Sequence, residues 1–466
     1  MFSNYLSKTK EKLKLLIKAL SKDFEYVSIL GSDIHSAAYM ANRMSTQIGD
    51  GDDTERGFVI KLSNGKAFFE YSFDILEDDI DAFAKKVKES LTVSKEIENI
   101  EVSTSKVDDE KLIKDFVREN DFDKYNDIEI INYASKLKDQ ILEKESNFLN
   151  AIVYITTLEV SKMFLSKNKE LTQNYTWVNG IMMGYYRDGK VVAVREGAFS
   201  NKLADVFEEL PTKIDKLIDK AKHLVNAKPI EPGVYDVITD PTITGLIAHE
   251  AFGHGVEMDQ FVKDRAIAKQ YINKYVASPI VSMRDGAAST LSVASYFFDD
   301  DGVLAHDTQI IKDGILVTGI CDLVSSRQLN TAPTGNGRRQ SFTNKAYTRM
   351  TNTFFEKGKD KLEDMIKSVK HGYMLFETNN GMEDPKNWAI QCVCEYGIEI
   401  VDGKLTENYV SPVVMSGYVP DLLKSISMVS DDFKIIGSGF CGKGYKEWVR
   451  VSDGGPALKA RVKLSW

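Results

Sequence analysis

The chain has 466 residues, of which 43% are hydrophobic and 28% charged, so it can bury at least two hydrophobic cores and is expected to form two to three domains. Its formal net charge of -9 argues against a nucleic-acid-binding protein, because such proteins present basic surfaces to phosphate. The four cysteines are too few and too unevenly spread for a disulfide scaffold. No apolar run approaches the length of a membrane span, and the N-terminus lacks the apolar core of a signal peptide, so we expect a cytoplasmic protein without a membrane partner.

The first part of the chain alternates between helical and strand patterns. An apolar stripe over residues 13–20 predicts a helix, which is followed by a strand at 26–30. The pair Asn64-Gly65 predicts a hairpin turn between two strands, and the apolar spacing over 80–91 predicts another helix. This order of elements is typical of an α+β or α/β domain.

Residues 101–145 are rich in charge, which predicts one or two surface helices without chemistry. Strand-like stretches follow, with a hairpin turn at Asp188-Gly189, and the apolar stripe over 214–221 predicts a further helix. The clearest proline and glycine break lies at 229–233. We therefore place an N-terminal α/β-type domain at residues 1–230.

The remainder, residues 231–466, is predicted to be a mainly antiparallel β domain that carries one functionally important helix. Residues 234–239 have a strand pattern, and the tripeptide at 240–242 breaks it before an apolar helical turn. Hairpin turns are predicted at residues 313–314 and 402–403, both Asp-Gly. The predicted fold class of the whole chain is α+β.

That helix carries the sequence H-E-A-F-G-H at residues 249–254. Two imidazoles and a neighbouring carboxylate are typical of metal hydrolases. On a regular helix His249 and His254 would point about 140° apart, because each residue turns by about 100°. A π-type turn, or a helix that loosens at Gly253, would bring both to one ion. We therefore predict a distorted helix at Gly253.

A catalytic zinc ion normally has three protein ligands and one open position for water, so a third ligand must come from elsewhere. The leading candidate is Cys441, because a glycine-rich loop can bring its thiolate close to an ion. Zinc would lower the pKa of its water towards about 7, and Glu250 would take up the proton. The alternatives are a structural or adventitious histidine pair and a buried, inert thiol.

Three further sets of polar residues each allow two interpretations. Arg338 and Arg339 could clamp a substrate carboxylate, or could anchor their loop through ion pairs. Glu257 and Asp259 could orient a ligand imidazole, although charges on a helix surface are the simpler explanation. The run Asp-Asp-Asp-Gly at 299–302 lacks the ligand pattern of an EF-hand and is predicted to be a turn.

Four segments follow one another in the second half of the chain: HEAFGHG at 249–255, APTGNGRR at 332–339, RMTNT at 349–353 and CGK at 441–443. In sequence and in order they resemble the TldD/PmbA peptidases, and more closely the metal-bearing TldD branch. The resemblance covers about the C-terminal half of the chain. It implies a zinc peptidase in which His249, His254 and Cys441 bind the metal and Glu250 is the general base.

The resemblance also implies the substrate and the assembly. The expected substrates are unfolded or extended peptides held by main-chain contacts, for which an exposed strand edge in the second domain would be suited. The expected assembly is a homodimer, or a heterodimer with a TldE/PmbA-like paralogue that lacks the metal motif. Two alternatives remain: a metal-dependent hydrolase of modified peptides, and a non-catalytic peptide-binding subunit with a structural metal. Glu250 argues against the latter, because a structural site needs no base beside its ligand.

Overall fold

Two parts of the chain form separate β-sheets in the computed structural model, which describes residues 2–92 and 106–466. The strands between Tyr26 and Ser200 build one sheet, whereas the strands from Gly233 onwards build the others. The predicted α+β class is confirmed. The domain boundary between residues 230 and 231 stays a prediction.

Helices lie against or between these sheets. They are α1 (Asn4–Leu20), α2 (Ile80–Thr92), α3 (Asp127–Lys144), α4 (Leu203–Glu209), α5 (Ile214–Leu224), α6 (Pro241–Leu246), α7 (Met258–Val262), α8 (Leu323–Gln328), α9 (Leu362–Lys367) and α10 (Val419–Ser425). Within the described ranges, each helix is too short or too polar to span a bilayer.

The first sheet has the strand order β4-β3-β1-β6-β7-β5, with β2 paired to β1 and β8 paired to β7. Its strands are β1 (Tyr26–Ala41), β2 (Thr46–Asp50), β3 (Glu55–Ser63), β4 (Phe68–Phe73), β5 (Leu112–Val117), β6 (Phe148–Ser166), β7 (Lys169–Asp188) and β8 (Lys190–Ser200). All pairs are antiparallel except β5 with β7. One apolar core joins α1 and α2 to β1 and β3, and another joins α3, α4 and α5 to β6 and β7.

The predicted helices of this part and its two hairpins, at Asn64-Gly65 and Asp188-Gly189, are confirmed. The charge-rich segment is only partly as predicted. Its end forms helix α3, but residues 112–117 form strand β5 at the sheet edge, where most side chains face solvent and no apolar alternation marks the strand. Residues 101–105 of that segment lie outside the described residues.

The second part contains a seven-stranded sheet whose strands β16, β9, β23, β19 and β17 close into a ring through an additional β16–β17 pairing. A six-stranded sheet of order β12-β11-β10-β15-β22-β21 lies beside it. The strands are β9 (Gly233–Thr239), β10 (Met283–Asp285), β11 (Thr308–Lys312), β12 (Ile315–Leu316), β13 (Gly337–Arg338), β14 (Tyr347–Thr348), β15 (Asn352–Phe355), β16 (His371–Asp384), β17 (Ala389–Val401), β18 (Lys404–Val410), β19 (Val413–Tyr418), β20 (Met428–Val429), β21 (Lys434–Lys443), β22 (Glu447–Gly455) and β23 (Leu458–Ser465).

Most pairs in this part are antiparallel, as predicted, and the exceptions are β9 with β16 and β15 with β22. The two predicted Asp-Gly hairpins are present, with Gly314 and Gly403 at positive φ. Helix α6 contacts β16 of the ring and β22 of the six-stranded sheet. The motif helix is therefore held between the two sheets.

Buried ion pairs join the two parts of the chain. The acidic run at 299–302 forms the predicted turn, with Gly302 at a φ of +71°, but its carboxylates are buried. Asp301 pairs with Lys61 of β3, and Asp300 pairs with Lys162 of β6. Asp299 accepts a hydrogen bond of 2.8 Å from the backbone of Gly337. The run thus holds the second part against the first sheet.

Candidate metal centre

The helix that carries the motif begins directly after strand β9. The Asp240 side chain caps it by accepting hydrogen bonds from the backbone N–H groups of Thr242 at 3.1 Å and Ile243 at 2.9 Å. Pro241 occupies the first turn, where its missing N–H costs nothing. The predicted break at 240–242 is confirmed, and it fixes where the helix starts.

Helix α6 then widens into a π-helical turn over Ile247–Gly253. The turn brings the rings of His249 and His254 to a centroid distance of 5.1 Å with their planes 88° apart. The predicted distortion is therefore confirmed, but Gly253 has helical φ and ψ of -59° and -49°. A Cβ at Gly253 would lie 2.1 Å from Sδ of Met350, so the glycine serves close packing and not an unusual backbone angle.

Cys441 lies in strand β21 and not in a loop, which corrects the prediction. It pairs with Val449 of β22, and its carbonyl accepts a hydrogen bond from the buried guanidinium of Arg349. Its Sγ atom lies 3.6 Å from Nε2 of His254. Strand pairing therefore brings the thiol to the helix.

The ligand atoms of His249, His254 and Cys441 all lie within 4.8 Å of one another. His249 and Cys441 are each only 3% exposed. Nδ1 of His249 is buried and has no hydrogen-bond partner among the described residues, which is unusual for a histidine with a purely structural role. Two imidazoles and a thiol are a donor set that zinc accepts, so these residues fit a zinc ion.

The thiolate of Cys441 and the imidazolium forms of His249 and His254 stabilise one another electrostatically. Burial would raise the pKa of the Cys441 thiol, but the imidazoles of His254 and His249 hold it well below its usual range. Burial would lower the pKa of His254, whereas Cys441 and Glu257 raise it well above the usual value. A thiolate is the form of cysteine that binds metal. A divalent cation would displace the imidazole protons on binding.

Glu250 lies beside these ligands, with Oε2 3.8 Å from Nε2 of His254. Its side chain is 19% exposed, so solvent can reach it. Strand β16 passes directly over it: a Cβ at Gly381 would lie 2.6 Å from Cγ of Glu250. The candidate base is thus confined between the π turn and a strand.

Glu257 and Asp259 are buried, so the interpretation of both as surface charges is wrong. Oε2 of Glu257 lies 3.1 Å from Nδ1 of His254 and 2.9 Å from Nζ of Lys443. Burial would raise the pKa of Glu257, but Lys443 and His254 lower it to about 2. The i+3 spacing of Glu257 from His254 was the available signal in the sequence, whereas Lys443 stood in the CGK segment without an assigned role.

Two more carboxyl groups near the site had no signal in the sequence. Burial raises the pKa of Asp453 to about 6, with His249 lowering it and Glu250 raising it. Burial also raises the pKa of Glu383 well above its usual range. A Cβ at Gly255 would lie 2.8 Å from Oε1 of Glu383. Both groups add negative potential around the three ligands when they are ionised.

Arg338 and Arg339 are engaged in contacts within the protein. Arg338 donates hydrogen bonds of 2.7 Å to the carbonyls of Met350 and Arg450. The Arg339 side chain is 3% exposed and pairs with Glu70 of β4 at 3.0 Å. These contacts favour the loop-anchoring alternative over a substrate clamp.

Comparison with known proteins identifies a family model, related sequences and solved structures that match this chain. Residues 232–462 match the family model described as the PmbA/TldA metallopeptidase C-terminal domain. A metalloprotease of Methanothermobacter thermautotrophicus is 29% identical over 69% of this chain and 67% of its own length. A protein of Saccharolobus solfataricus named zinc metalloprotease TldD homolog is 28% identical over 78% of this chain and 80% of its own length.

Among solved structures, TldE from Thermococcus kodakarensis has the same fold, with a TM-score of 0.79 at 17% identity over 97% of this chain and 100% of that one. The motifs, the matched C-terminal domain and the related sequences agree with one another. The chain belongs to the PmbA/TldD metallopeptidase family.

Proposed function

We propose that this chain is a zinc-dependent peptidase of the TldD type that hydrolyses peptide bonds of unfolded or extended peptides. The observation that carries the proposal is the position of the Glu250 carboxylate, 3.8 Å from Nε2 of His254 and beside three converging ligands. His249, His254 and Cys441 would hold the zinc. When bound, zinc polarises a water molecule and the substrate carbonyl.

In this mechanism the chain's own residues orient the reactants and move the proton. Glu250 accepts a proton from the attacking water and delivers it to the leaving amine, a transfer that requires a partly exposed carboxylate. The Cys441 thiolate leaves the centre less positive than three neutral imidazoles would. Gly381 confines the Glu250 side chain from above, which limits the directions in which its carboxylate can point.

Two strand edges near the centre are suited to an extended substrate. Strand β21, which carries Cys441, is the last strand of its sheet. Strand β16 pairs with β9 only over Gly372–Leu375, so its outer part, which contains Gly381, has β17 as its single strand partner within the described ranges. An added peptide strand would be held through its main chain, with little demand on its side chains.

Replacing single peptide N–H groups of a cleaved peptide by N–CH3 tests this binding mode. We expect the methyl groups on alternate residues to raise KM, because only alternate N–H groups face the enzyme strand. A KM that is insensitive to every such methylation contradicts strand addition. Methylation retains the amide bond and the side chains, so it probes the main chain alone.

We further propose that the active species is a homodimer, or a heterodimer with a TldE/PmbA-like paralogue. The shared fold with a TldE protein supports the idea that two such chains have compatible architectures. Light scattering of the purified chain, alone and after co-expression with a paralogue, measures the assembly. A monomer with full peptidase activity under both conditions contradicts the proposal.

The decisive experiment is Glu250→Gln, with zinc content and peptide cleavage measured on the same sample. We expect retained zinc and a loss of cleavage, because glutamine cannot accept the proton. Unchanged cleavage eliminates Glu250 as the base. Glu407→Gln is the matched control, because the Glu407 side chain is 95% exposed. A wild-type protein that binds peptide and zinc but cleaves no peptide favours the non-catalytic alternative.

A further inference from the structure

A single buried ammonium group links the two distant parts of the candidate centre. Lys443 follows Cys441 by two positions in strand β21. Its Nζ atom lies 2.9 Å from Oε2 of Glu257, 2.8 Å from Oδ1 of Asp259 and 2.8 Å from the carbonyl oxygen of Thr348. An ammonium group has three N–H donors, so all of them are used. Lys443 is therefore fixed in one orientation.

Lys443, Glu257 and Asp259 are all buried, so the negative charges of the two carboxylates must be balanced by a cation within the protein. The side chains of Lys443, Glu257 and Asp259 are 10%, 2% and 9% exposed. Oε1 of Glu257 and Oδ2 of Asp259 have no hydrogen-bond partner within the described residues. Lys263 lies 3.8 Å from Oδ2 of Asp259, whereas Lys443 lies within 2.9 Å of both carboxylates and is therefore their principal compensation. Removing one partner of a buried ion pair leaves an uncompensated charge.

The same carboxylate oxygen connects Lys443 to a metal ligand. Oε2 of Glu257 contacts Nζ of Lys443 and also Nδ1 of His254, at 3.1 Å. An ionised carboxylate can only accept, so His254 carries its proton on Nδ1. In the neutral ring that binds a metal ion, the other nitrogen, Nε2, then presents its lone pair on the side where Cys441 Sγ lies, 3.6 Å away. Such a partner fixes both the tautomer and the direction of a ligand imidazole.

We propose that Lys443 is a positioning residue of the metal centre: it holds Glu257 so that His254 presents Nε2, and it fastens the strand of Cys441 to the segment of His254. The inference rests on the proposed metal centre but not on peptide cleavage. Lys443 Nζ contacts Glu257, Asp259 and Thr348 and none of the donor atoms of the three ligands, so it acts on the centre through Glu257.

The test compares Lys443→Met and Glu257→Gln with the double variant, by competition for zinc against a chromogenic chelator. We expect each single variant to bind zinc about 10–100-fold more weakly, the range seen when such partners of metal ligands are removed. If Lys443 acts through Glu257, the double variant should bind zinc no more weakly than the single variant that has the lower zinc affinity. If the loss of zinc affinity in the double variant equals the product of the two single losses, Lys443 and Glu257 act independently, which contradicts the proposal.

Lys61→Met is the matched control, because Lys61 is also a buried lysine with two carboxylate partners, Glu70 and Asp301, but it lies away from the ligands. It should lower the melting temperature and leave zinc affinity unchanged. Wild-type zinc affinity in folded Lys443→Met or Glu257→Gln overturns the inference, as does an equal loss in Lys61→Met.

If Lys443→Met does not fold, the zinc affinity of Glu257→Gln alone tests the inference, because this change preserves the volume of the side chain. Zinc binding without peptide cleavage by the wild type overturns the proposed function and leaves this inference intact. A wild type that binds no zinc overturns both.

Discussion

Gly381 lies directly against Glu250, so that a single methyl group added to Gly381 would come within 2.6 Å of Cγ and 3.2 Å of Cβ of the candidate base. Because Cδ1 of Leu246 also lies 2.9 Å from that position, the surrounding side chains leave too little space for the methyl group. The strand and the base therefore constrain one another.

We expect Gly381→Ala to displace the Glu250 carboxylate and lower kcat by about 10-fold or more, since small shifts of a catalytic group cost large factors in rate. Zinc content should remain, because neither ligand histidine contacts the added methyl group at close range. The measurement is kcat on a model peptide with zinc analysis. Gly417→Ala in strand β19 is the control, because no atom of the described residues lies within 4 Å of its added Cβ. Equal kcat values for the two variants contradict the prediction.

Cys441→Ser should weaken zinc binding by about 10-fold or more, because the change replaces a thiolate ligand by a poorly ionised hydroxyl. Chelator competition gives the dissociation constant. Cys321→Ser provides the comparison, since Cys321 is also buried but belongs to a different part of the fold. Full zinc retention in Cys441→Ser would remove the thiol from the proposed ligand set.

The buried pair of Lys162 and Asp300 predicts a large effect on stability. Burial would raise the pKa of Asp300, but Lys162 and Arg339 hold it below its usual value. Lys162→Met should lower the free energy of unfolding by about 3–5 kcal/mol, because it removes the ammonium partner of the buried Asp300 carboxylate. Lys12→Met breaks the exposed pair with Asp78, whose side chains are 48% and 96% exposed, and should have a much smaller effect because solvent screens the pair. Urea unfolding measures the free energy of unfolding of both variants. Similar losses in the two variants would contradict the prediction.

Glu395 predicts a pH dependence of stability. Burial, together with the neighbouring Glu377, raises the pKa of Glu395 from 4.5 to about 7, while Arg195 opposes the shift. Because the folded-state pKa is above the unfolded value, the protonated group stabilises the fold below about pH 4.5, and this contribution is lost as the pH rises through about 7.

A neutral Glu395→Gln variant lacks that titration. We expect its melting temperature to exceed that of the wild type by about 2–4 °C at pH 8 and the difference to shrink towards pH 5. Thermal unfolding between pH 5 and pH 8 measures it. Two parallel curves would mean that Glu395 does not titrate in this range.

The sequence predicted local features well because local chemistry determines them. Asp188-Gly189 forms a hairpin turn, since Gly189 adopts a positive φ that other residues rarely accept. Asp240 and Pro241 start a helix because one caps it and the other suits its first turn. The distortion around Gly253 followed from the i+5 spacing of the histidines, which a regular helix cannot place on one side.

Contacts between distant residues could not be predicted in the same way. Cys441 was expected in a loop, because glycines surround it, yet pairing with β22 makes its segment a strand. Glu257 looked like a surface charge because its partner Lys443 lies 186 positions away. The closure of the strand ring between β16 and β17 depends on pairings across the whole second part of the chain.

The π turn also determines how everything after it is rotated. Removing one residue between His249 and His254 would recreate the shorter spacing of ordinary zinc helices and could still direct both rings to one side. Each lost residue, however, turns the following chain by about 100°. Glu257 and Asp259 would then both swing away from Lys443, and of its three partners the ammonium group would keep the carbonyl of Thr348. In this helix, changes of length should therefore be far more damaging than changes of side chain.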